Sequence, residues 1–223
     1  MKKTTPRAIP LPRNTASTFD PAWEVFFDAV VGYTSRTSII HQLAGGHQSN
    51  YDRIKYAIDR RIAAMGDDAP ARPRGNPKSF ASRVFMITQH DRFDGAVLLA
   101  LHSPQPEPAT HAPQGGYPEM NTALLDAAWK LLTIYQKYVN TLYPNQRHGY
   151  VPFDDYVQLV RGVEAGGVTI HTCKCCGSRH PVNVTVPAVP PCPVCATLNL
   201  ETDRWRTVLQ QRLQQRRREV GYG

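Results

Sequence analysis

The chain has 223 residues, of which 41% are hydrophobic and 20% are charged, and it carries a net charge of +8. This length can bury one sizeable core, or one core and a small satellite module. No apolar run approaches the about 20 residues of a membrane span, and no apolar segment follows the basic N-terminus. We therefore expect a soluble, cytoplasmic protein, and the positive charge favours a polyanionic partner.

Residues 1–19 are polar, basic and proline-containing, which predicts a disordered extension. An all-α domain is expected over residues 20–167. Asp20 is suited to cap its first helix, and Pro21 to occupy the first helical position. The apolar residues of this helix recur at the spacing that marks a buried face. They are Trp23, Phe26, Phe27, Val30 and Val31.

Residues 37–65 have the layout of a helix-turn-helix. A short helix over Thr37–Leu43 is stopped by Gly45-Gly46, and Ser49 or Asn50 caps the next helix, which runs to about Met65. Basic residues lie outside the apolar stripe of this second helix: Arg53, Lys55, Arg60 and Arg61. The alternative is an ordinary solvated helix in which residues four apart, such as Lys55 and Asp59, satisfy each other. This segment alone favours that alternative.

Further helices and proline-rich connections follow. They are a linker at 66–78, helices at 79–90 and 92–102, and an extended loop at 103–119. The long periodic run from Asn121 to Leu142 predicts the central helix of the domain. A last helix starts at Pro152 and ends at Gly166-Gly167. Asp154 and Asp155 then lie in its first turn, where negative charge is favoured.

The character of the sequence changes after residue 167. Val168–Ile170 and Val182–Val186 alternate like short strands, and each borders a pair of cysteines. These features predict a ribbon-like zinc module over 168–200. Residues 201–223 then predict a basic terminal helix or tail. Its apolar face is formed by Trp205, Val208, Leu209 and Leu213, and its end carries Arg212, Arg216, Arg217 and Arg218.

All five cysteines lie between residues 173 and 195, and four of them form two C-x-x-C pairs. The pairs are Cys173/Cys176 and Cys192/Cys195. Two such pairs at this spacing are typical of a tetrahedral four-cysteine zinc site, so one structural Zn²⁺ per chain is expected. Cys175 cannot easily share the ion with its neighbour, because adjacent side chains point apart. Gly177 suits the positive φ of a turn that folds backbone amides toward metal-bound sulfur.

A disulfide, a redox thiol pair, a histidine ligand and a catalytic site are each less well supported by the sequence. A disulfide needs an oxidising compartment, and a redox C-x-x-C needs only one pair. His171 and His180 flank the first pair and either could replace a cysteine, but four thiolates already close the shell. A closed shell has no position for water or substrate, which disfavours catalytic zinc. No phosphate loop, G-x-S-x-G or H-E-x-x-H is present, so we expect neither an enzyme nor a small-molecule substrate.

The cysteine pairs follow a short motif at a fixed distance. In order, the segments are Leu159-Val160-Arg161, Val163-Glu164, Gly166, Cys173-Lys174-Cys175-Cys176-Gly177 and Cys192-Pro193-Val194-Cys195. Together they resemble the signature of the FlhC family, bacterial transcriptional activators that work with FlhD. More loosely, Ser49–Ile58 resembles the basic helix near the N-terminus of that family, and Trp129 matches a helical tryptophan.

The resemblance implies zinc on the four paired cysteines and a hetero-oligomer with an FlhD-type subunit. It also implies binding to double-stranded promoter DNA and recruitment of RNA polymerase. The usual targets of the family are flagellar class 2 operons, while relatives on mobile elements activate conjugative-transfer genes. Phosphate contacts are then expected from the helix at 49–62 and from the zinc module: Arg53, Lys55, Arg60, Arg61, Lys174 and Arg179. A zinc-ribbon adaptor that binds only protein and a thiol-redox protein are the alternatives.

The apolar stripes at Trp23–Val31 and Leu124–Leu142 exceed what one short helical bundle needs. Part of each stripe is therefore expected to face the partner subunit. The N-terminal extension, the 103–119 loop and the arginine-ended terminal helix depart from the family's pattern.

Overall fold

The computed structural model describes residues 19–68, 78–82, 85–102 and 122–197. Within these ranges the fold is mainly helical, with a single two-stranded sheet. The helices are α1 (Pro21–Val30), α2 (Thr37–Leu43), α3 (Tyr51–Met65), α4 (Gln89–His102), α5 (Thr122–Leu142), α6 (Phe153–Glu164) and α7 (Pro193–Thr197). The strands are β1 (Val168–Thr172) and β2 (Arg179–Asn183). The expected extension up to residue 18, the 103–119 loop and the terminal helix at 201–223 lie outside the described residues.

The start and the buried face of α1 are confirmed. The Asp20 carboxylate accepts a hydrogen bond from the Ala22 amide at 2.8 Å, and Pro21 is the first helical residue. The whole predicted stripe of α1 is buried inside the chain, where Phe26 packs edge-to-face on Trp129 of α5. The expectation that part of this stripe faces a partner is therefore wrong for α1.

The two predicted helices around the glycine turn are present as α2 and α3. The chain ends α2 with Gly45 and Gly46, both at positive φ, and the Gly46 amide donates to the His41 carbonyl at 2.8 Å. A one-turn 3₁₀ segment, Gln48–Asn50, then leads into α3. Ile54 and Ile58 of α3 are completely buried, so the apolar face of this helix points into the core.

The central helix α5 is held to α4 and to the following loop by buried tyrosines. Tyr138 and Tyr143 both donate their hydroxyls to the Asp94 carboxylate of α4, the latter at 2.6 Å. The Tyr135 hydroxyl donates to the Val151 carbonyl at 3.0 Å. Burial, with the bond to Asp94, raises the pKa of Tyr143 to about 12. These phenols therefore remain protonated donors at neutral pH, which keeps Asp94 satisfied.

The acidic first turn of α6 is also confirmed, and its two aspartates form ion pairs with other parts of the chain. Asp154 forms an ion pair with Arg36 at 2.8 Å, and Asp155 forms one with Lys78 at 3.4 Å. Burial raises the pKa of both carboxyls despite these cations. The two aspartates thus connect α6 to the chain before α2 and before α4, in addition to favouring the helix N-terminus.

The prediction of a helix at 79–90 is wrong. Residues 78–82 and 85–88 form turns and bends, and Met86 has φ of 52°. The side-chain amide of Asn183 donates to the Phe80 carbonyl at 3.1 Å and to the Ser82 carbonyl at 2.9 Å. The Ser82 carbonyl also accepts from the Phe85 amide at 3.0 Å, the i+3 bond of a turn, so the bonds to Asn183 hold this segment in a non-helical path. The following predicted helix is confirmed as α4.

The two strands pair antiparallel, with Val168 opposite Asn183 and His171 opposite His180. The first strand is where the sequence predicts it, but the second begins three residues before its predicted range of 182–186 and ends at Asn183. Asn183 explains the difference, because its carboxamide oxygen accepts from the Thr185 amide at 2.9 Å and from the Thr185 hydroxyl at 2.8 Å. The chain turns there and leaves the sheet.

The hairpin packs directly on the helical part of the chain. A Cβ on Gly95 of α4 would lie 3.0 Å from Cγ of Pro181 in β2, so the absence of a side chain permits this close approach. The Arg92 guanidinium of α4 donates to the Pro191 carbonyl at 2.8 Å. These contacts set the position of the cysteine module relative to α4 and α6.

Candidate metal centre

The first cysteine pair lies in a tight turn after β1. The Gly177 amide donates to the Cys173 carbonyl, and the Cys173 amide donates to the Ser178 carbonyl, each at 2.9 Å. Gly177 has φ of +74°, which confirms the expected positive φ. The Cys175 amide points at Sγ of Cys173 from 3.4 Å, the arrangement in which a backbone amide donates to a metal-bound thiolate.

The second pair lies at the start of α7. Cys192 precedes Pro193, the first residue of the helix, and the Ala196 amide donates to the Cys192 carbonyl at 3.0 Å. This helical turn brings Cys192 and Cys195 to the same end of α7. Both side chains are buried against the first turn.

The four Sγ atoms all lie within 4.8 Å of one another. The Cys173–Cys195 and Cys176–Cys192 sulfur separations are both 3.7 Å. A tetrahedral ion with metal–sulfur distances of about 2.3 Å places its ligands about 3.8 Å apart. The arrangement fits such an ion, and among the described residues it is the one cluster that could hold a metal. The predicted ligand set of four cysteines is thus brought together.

The electrostatics of this cluster favour a bound cation. Burial, followed by hydrogen bonds that the Cys195 thiol makes to the neighbouring cysteines, raises the pKa of Cys195 well above its ordinary value when no metal is bound. Thiols this close ionise together only when a positive ion compensates their charge. Cys175 is half-buried and is not one of the four clustered sulfurs, but its side chain hydrogen-bonds with Cys195.

Ser178 is a site residue that the sequence reasoning missed. Its hydroxyl oxygen lies 3.1 Å from Sγ of both Cys176 and Cys192. A hydroxyl so placed can donate to one of these sulfurs when they are ionised and so stabilise the charged form. Its position directly after Gly177 is the signal that could have identified it.

The two histidines beside the first pair do not join the cluster. His171 and His180 face each other across the hairpin, with ring centroids 5.3 Å apart. His180 is almost completely buried, and burial lowers its pKa. Both rings therefore pack within the hairpin, and the four thiolates have no histidine competitor among the described residues.

The α3 cations predicted to contact DNA are engaged within the chain. The Lys55 ammonium is 2.8 Å from the Asp59 carboxylate, one helical turn away. The Arg53 guanidinium lies over the Phe19 ring at 4.7 Å and donates to the Asn50 side chain at 3.4 Å. The alternative in which charges on this helix satisfy each other therefore describes Lys55, whereas Arg53 is held by an aromatic ring and a side-chain amide.

Arg61 is the most strongly held of the group. Its guanidinium donates to the carboxylates of Glu24 at 2.6 Å and Asp28 at 2.5 Å, and to the carbonyls of Glu24 and Ala57. Arg60 makes one contact, to Glu24 at 3.3 Å. The Arg61 side chain is only 10% exposed, whereas that of Arg60 is 61% exposed. Arg61 thus connects α3 to α1 and is poorly available to an external ligand.

Replacing Arg61 with alanine should destabilise the fold by about 1.5–3 kcal/mol, because the change removes four hydrogen bonds made by a largely buried guanidinium, two of them to carboxylates. Arg60→Ala is the matched control, since an exposed pair contributes at most about 1 kcal/mol. Urea unfolding of both variants measures the two costs. Equal costs would contradict the structural role given to Arg61.

Unlike most of the α3 cations, the cations of the cysteine module are exposed and form no ion pairs among the described residues. Lys174, within the first turn, and Arg179, at the start of β2, are both exposed. Neither forms an ion pair with a carboxylate in the described part of the chain. The cations of the cysteine module are therefore accessible, whereas most of the α3 cations contact groups of the same chain.

No family model, curated protein or solved structure matches this chain. The likeness of the 159–195 stretch to the FlhC signature accordingly stays a resemblance. Within the described ranges, every helix is too short or too polar to cross a membrane.

Proposed function

We propose that this chain is a zinc-containing, DNA-binding transcriptional activator. It acts in a hetero-oligomer with an FlhD-type subunit and recruits RNA polymerase to flagellar class 2 promoters. Conjugative-transfer genes on a mobile element are the alternative targets. The observation that carries the proposal is a closed four-cysteine centre whose turn presents two accessible cations, Lys174 and Arg179.

Zinc is the metal that best suits the centre. Four thiolates with tetrahedral spacing favour Zn²⁺, and a complete protein shell leaves no ligand position for substrate. The ion would be held by Cys173, Cys176, Cys192 and Cys195. Its contribution is to fix the two cysteine turns, and with them the backbone that carries Lys174 and Arg179. The proposed role is therefore binding and not catalysis.

DNA contact is assigned first to the cysteine module. A cation without a carboxylate partner can neutralise a backbone phosphate without first breaking an ion pair, and phosphate contacts dominate the affinity for duplex DNA. Lys55 and Arg60 form the secondary surface, because exposed pairs such as theirs are weak enough to exchange. Arg53 and Arg61, which the sequence placed in the same set, are assigned structural roles.

A salt titration tests this assignment. The double variant Lys174→Ala/Arg179→Ala should weaken binding to all duplexes and flatten the log–log salt slope by about 1.8 units, since each lost phosphate contact contributes about 0.9. The matched variant Lys55→Ala/Arg60→Ala removes the same charge and should change the slope less. Binding is measured by fluorescence anisotropy, at several salt concentrations, on a random-sequence duplex and on one enriched from a random pool.

The controls separate the possible results. Zinc content and unfolding midpoint should match the parent in both variants, because all four side chains are exposed. An unchanged slope in the Lys174/Arg179 variant would exclude the module as the phosphate-binding surface. If the Lys55→Ala/Arg60→Ala variant flattened the salt slope more, the main DNA-binding surface would instead be α3.

A protein-binding adaptor is the second candidate function. The pairing of the α3 cations with Glu24, Asp28 and Asp59 favours it, because the basic face expected of a recognition helix is largely neutralised. The adaptor predicts no measurable affinity of the parent protein for duplex DNA at moderate salt. The same titration therefore distinguishes the two functions.

A further inference from the structure

An apolar cavity of about 670 Å³ lies between α4, α6, β1 and the first cysteine turn. Aliphatic side chains line most of it, and several of these are only half-buried or exposed. They are Val97, Ala100, Val163, Ile170 and Val194. Removing such side chains from water is favourable, so this groove favours an apolar occupant.

The polar groups at the groove do not favour a polar small molecule. Nδ1 of His102 is 2.8 Å from the Tyr156 hydroxyl, so one ring nitrogen is already satisfied within the chain. Burial, followed by the charge of Lys130, lowers the pKa of His102, which keeps the ring neutral. The remaining charged lining residues are Glu164 and Arg179, both exposed and of opposite sign.

We propose that residues 203–213 of the same chain bind in this groove. Trp205, Val208 and Leu209 recur at i, i+3 and i+4, which places them on one face if the segment is helical. With Leu213, these make four apolar side chains in a stretch that is otherwise polar and basic. Such side chains need an apolar surface, and the groove supplies one. The segment also carries one carboxylate, Asp203, and three arginines, and the groove rim offers Arg179 and Glu164 as groups of opposite charge.

The path of the chain favours this occupant over a separate molecule. Val194 is part of the groove wall and belongs to α7, which ends at Thr197. Trp205 follows Thr197 by eight residues. Such a connection spans about 12 Å as a helix and about 26 Å when extended, which is enough to reach the groove from its own wall. Because the segment is covalently attached, its effective concentration is far above that of a free partner.

The contact can be tested by photocrosslinking the full-length chain inside cells. The photoreactive amino acid p-benzoylphenylalanine replaces Trp205, and the product is digested with trypsin and analysed by mass spectrometry. We expect crosslinks to the peptides Phe93–Lys130 and Gly162–Lys174, which carry the α4 and α6 walls. The same probe in place of Tyr222, outside the apolar stripe, should not label these peptides.

A second substitution distinguishes groove binding from nonspecific contact. Ala100→Glu places a charge on an exposed position of the wall, so the fold and metal content should be retained while the crosslink yield falls about tenfold. An unchanged yield, or crosslinks only to other peptides, would overturn the proposal. So would crosslinks that form only between isotopically heavy and light chains, which would identify a second copy or a swapped segment. None of these outcomes depends on DNA binding.

Discussion

Serine at Cys195 should abolish the proposed zinc binding and leave the hairpin unfolded. Cys195 is buried, and its sulfur is 3.7 Å from that of Cys173 in the other turn. The hairpin and α7 are too small to stabilise themselves, and structural zinc contributes about 10–16 kcal/mol to such modules. We expect the metal measured by inductively coupled plasma mass spectrometry to fall from one ion per chain to near zero. The variant should also collect in the insoluble fraction.

Cys175→Ser is the control for this experiment. It makes the same chemical change in the same turn, but at a thiol outside the cluster of four. One metal ion per chain should remain, with an unfolding midpoint close to that of the parent. If Cys175→Ser lost its metal while Cys173→Ser kept it, the ligand set would be wrong. Reversible disulfides without a tightly held metal in the parent would support the thiol-redox alternative.

Asn183→Ala should destabilise the protein by about 3–4 kcal/mol. The buried Asn183 carboxamide donates to the carbonyls of Phe80 and Ser82 and accepts twice from Thr185. Alanine removes all four hydrogen bonds and leaves polar groups unpaired in a partly buried site, where each costs about 1–3 kcal/mol or is rescued by water. The free energy of unfolding, from denaturant titration with saturating zinc, measures the loss.

Thr169→Val provides the comparison on the same hairpin. The Thr169 hydroxyl makes one hydrogen bond, to the Val182 carbonyl at 3.2 Å, so its loss should cost about 1 kcal/mol or less. A cost below 1 kcal/mol for Asn183→Ala would show that this side chain does not anchor the 78–82 segment. The non-helical path of that segment would then need another cause.

Several features of this protein were determined by the sequence alone, because local rules govern them. The Asp20–Pro21 helix start depends on a bond between residues two apart. The turn after α2 depends on two adjacent glycines. The cluster of four cysteines follows from two tight turns, each set by a C-x-x-C spacing. In each case the interacting groups are near in sequence or share one ion.

Only the tertiary structure decided the features that depend on distant partners. The carboxamide of Asn183 donates to the carbonyls of a segment one hundred residues earlier and so anchors that segment in a non-helical path. Its oxygen accepts from Thr185, where the chain leaves β2. The availability of Arg61 for DNA is likewise decided by Glu24 and Asp28 on another helix. The sequence gives the charge of a basic residue but does not identify the carboxylate that it will pair with. That pairing arises when α1 and α3 pack, because packing brings those carboxylates within hydrogen-bonding distance of the guanidinium.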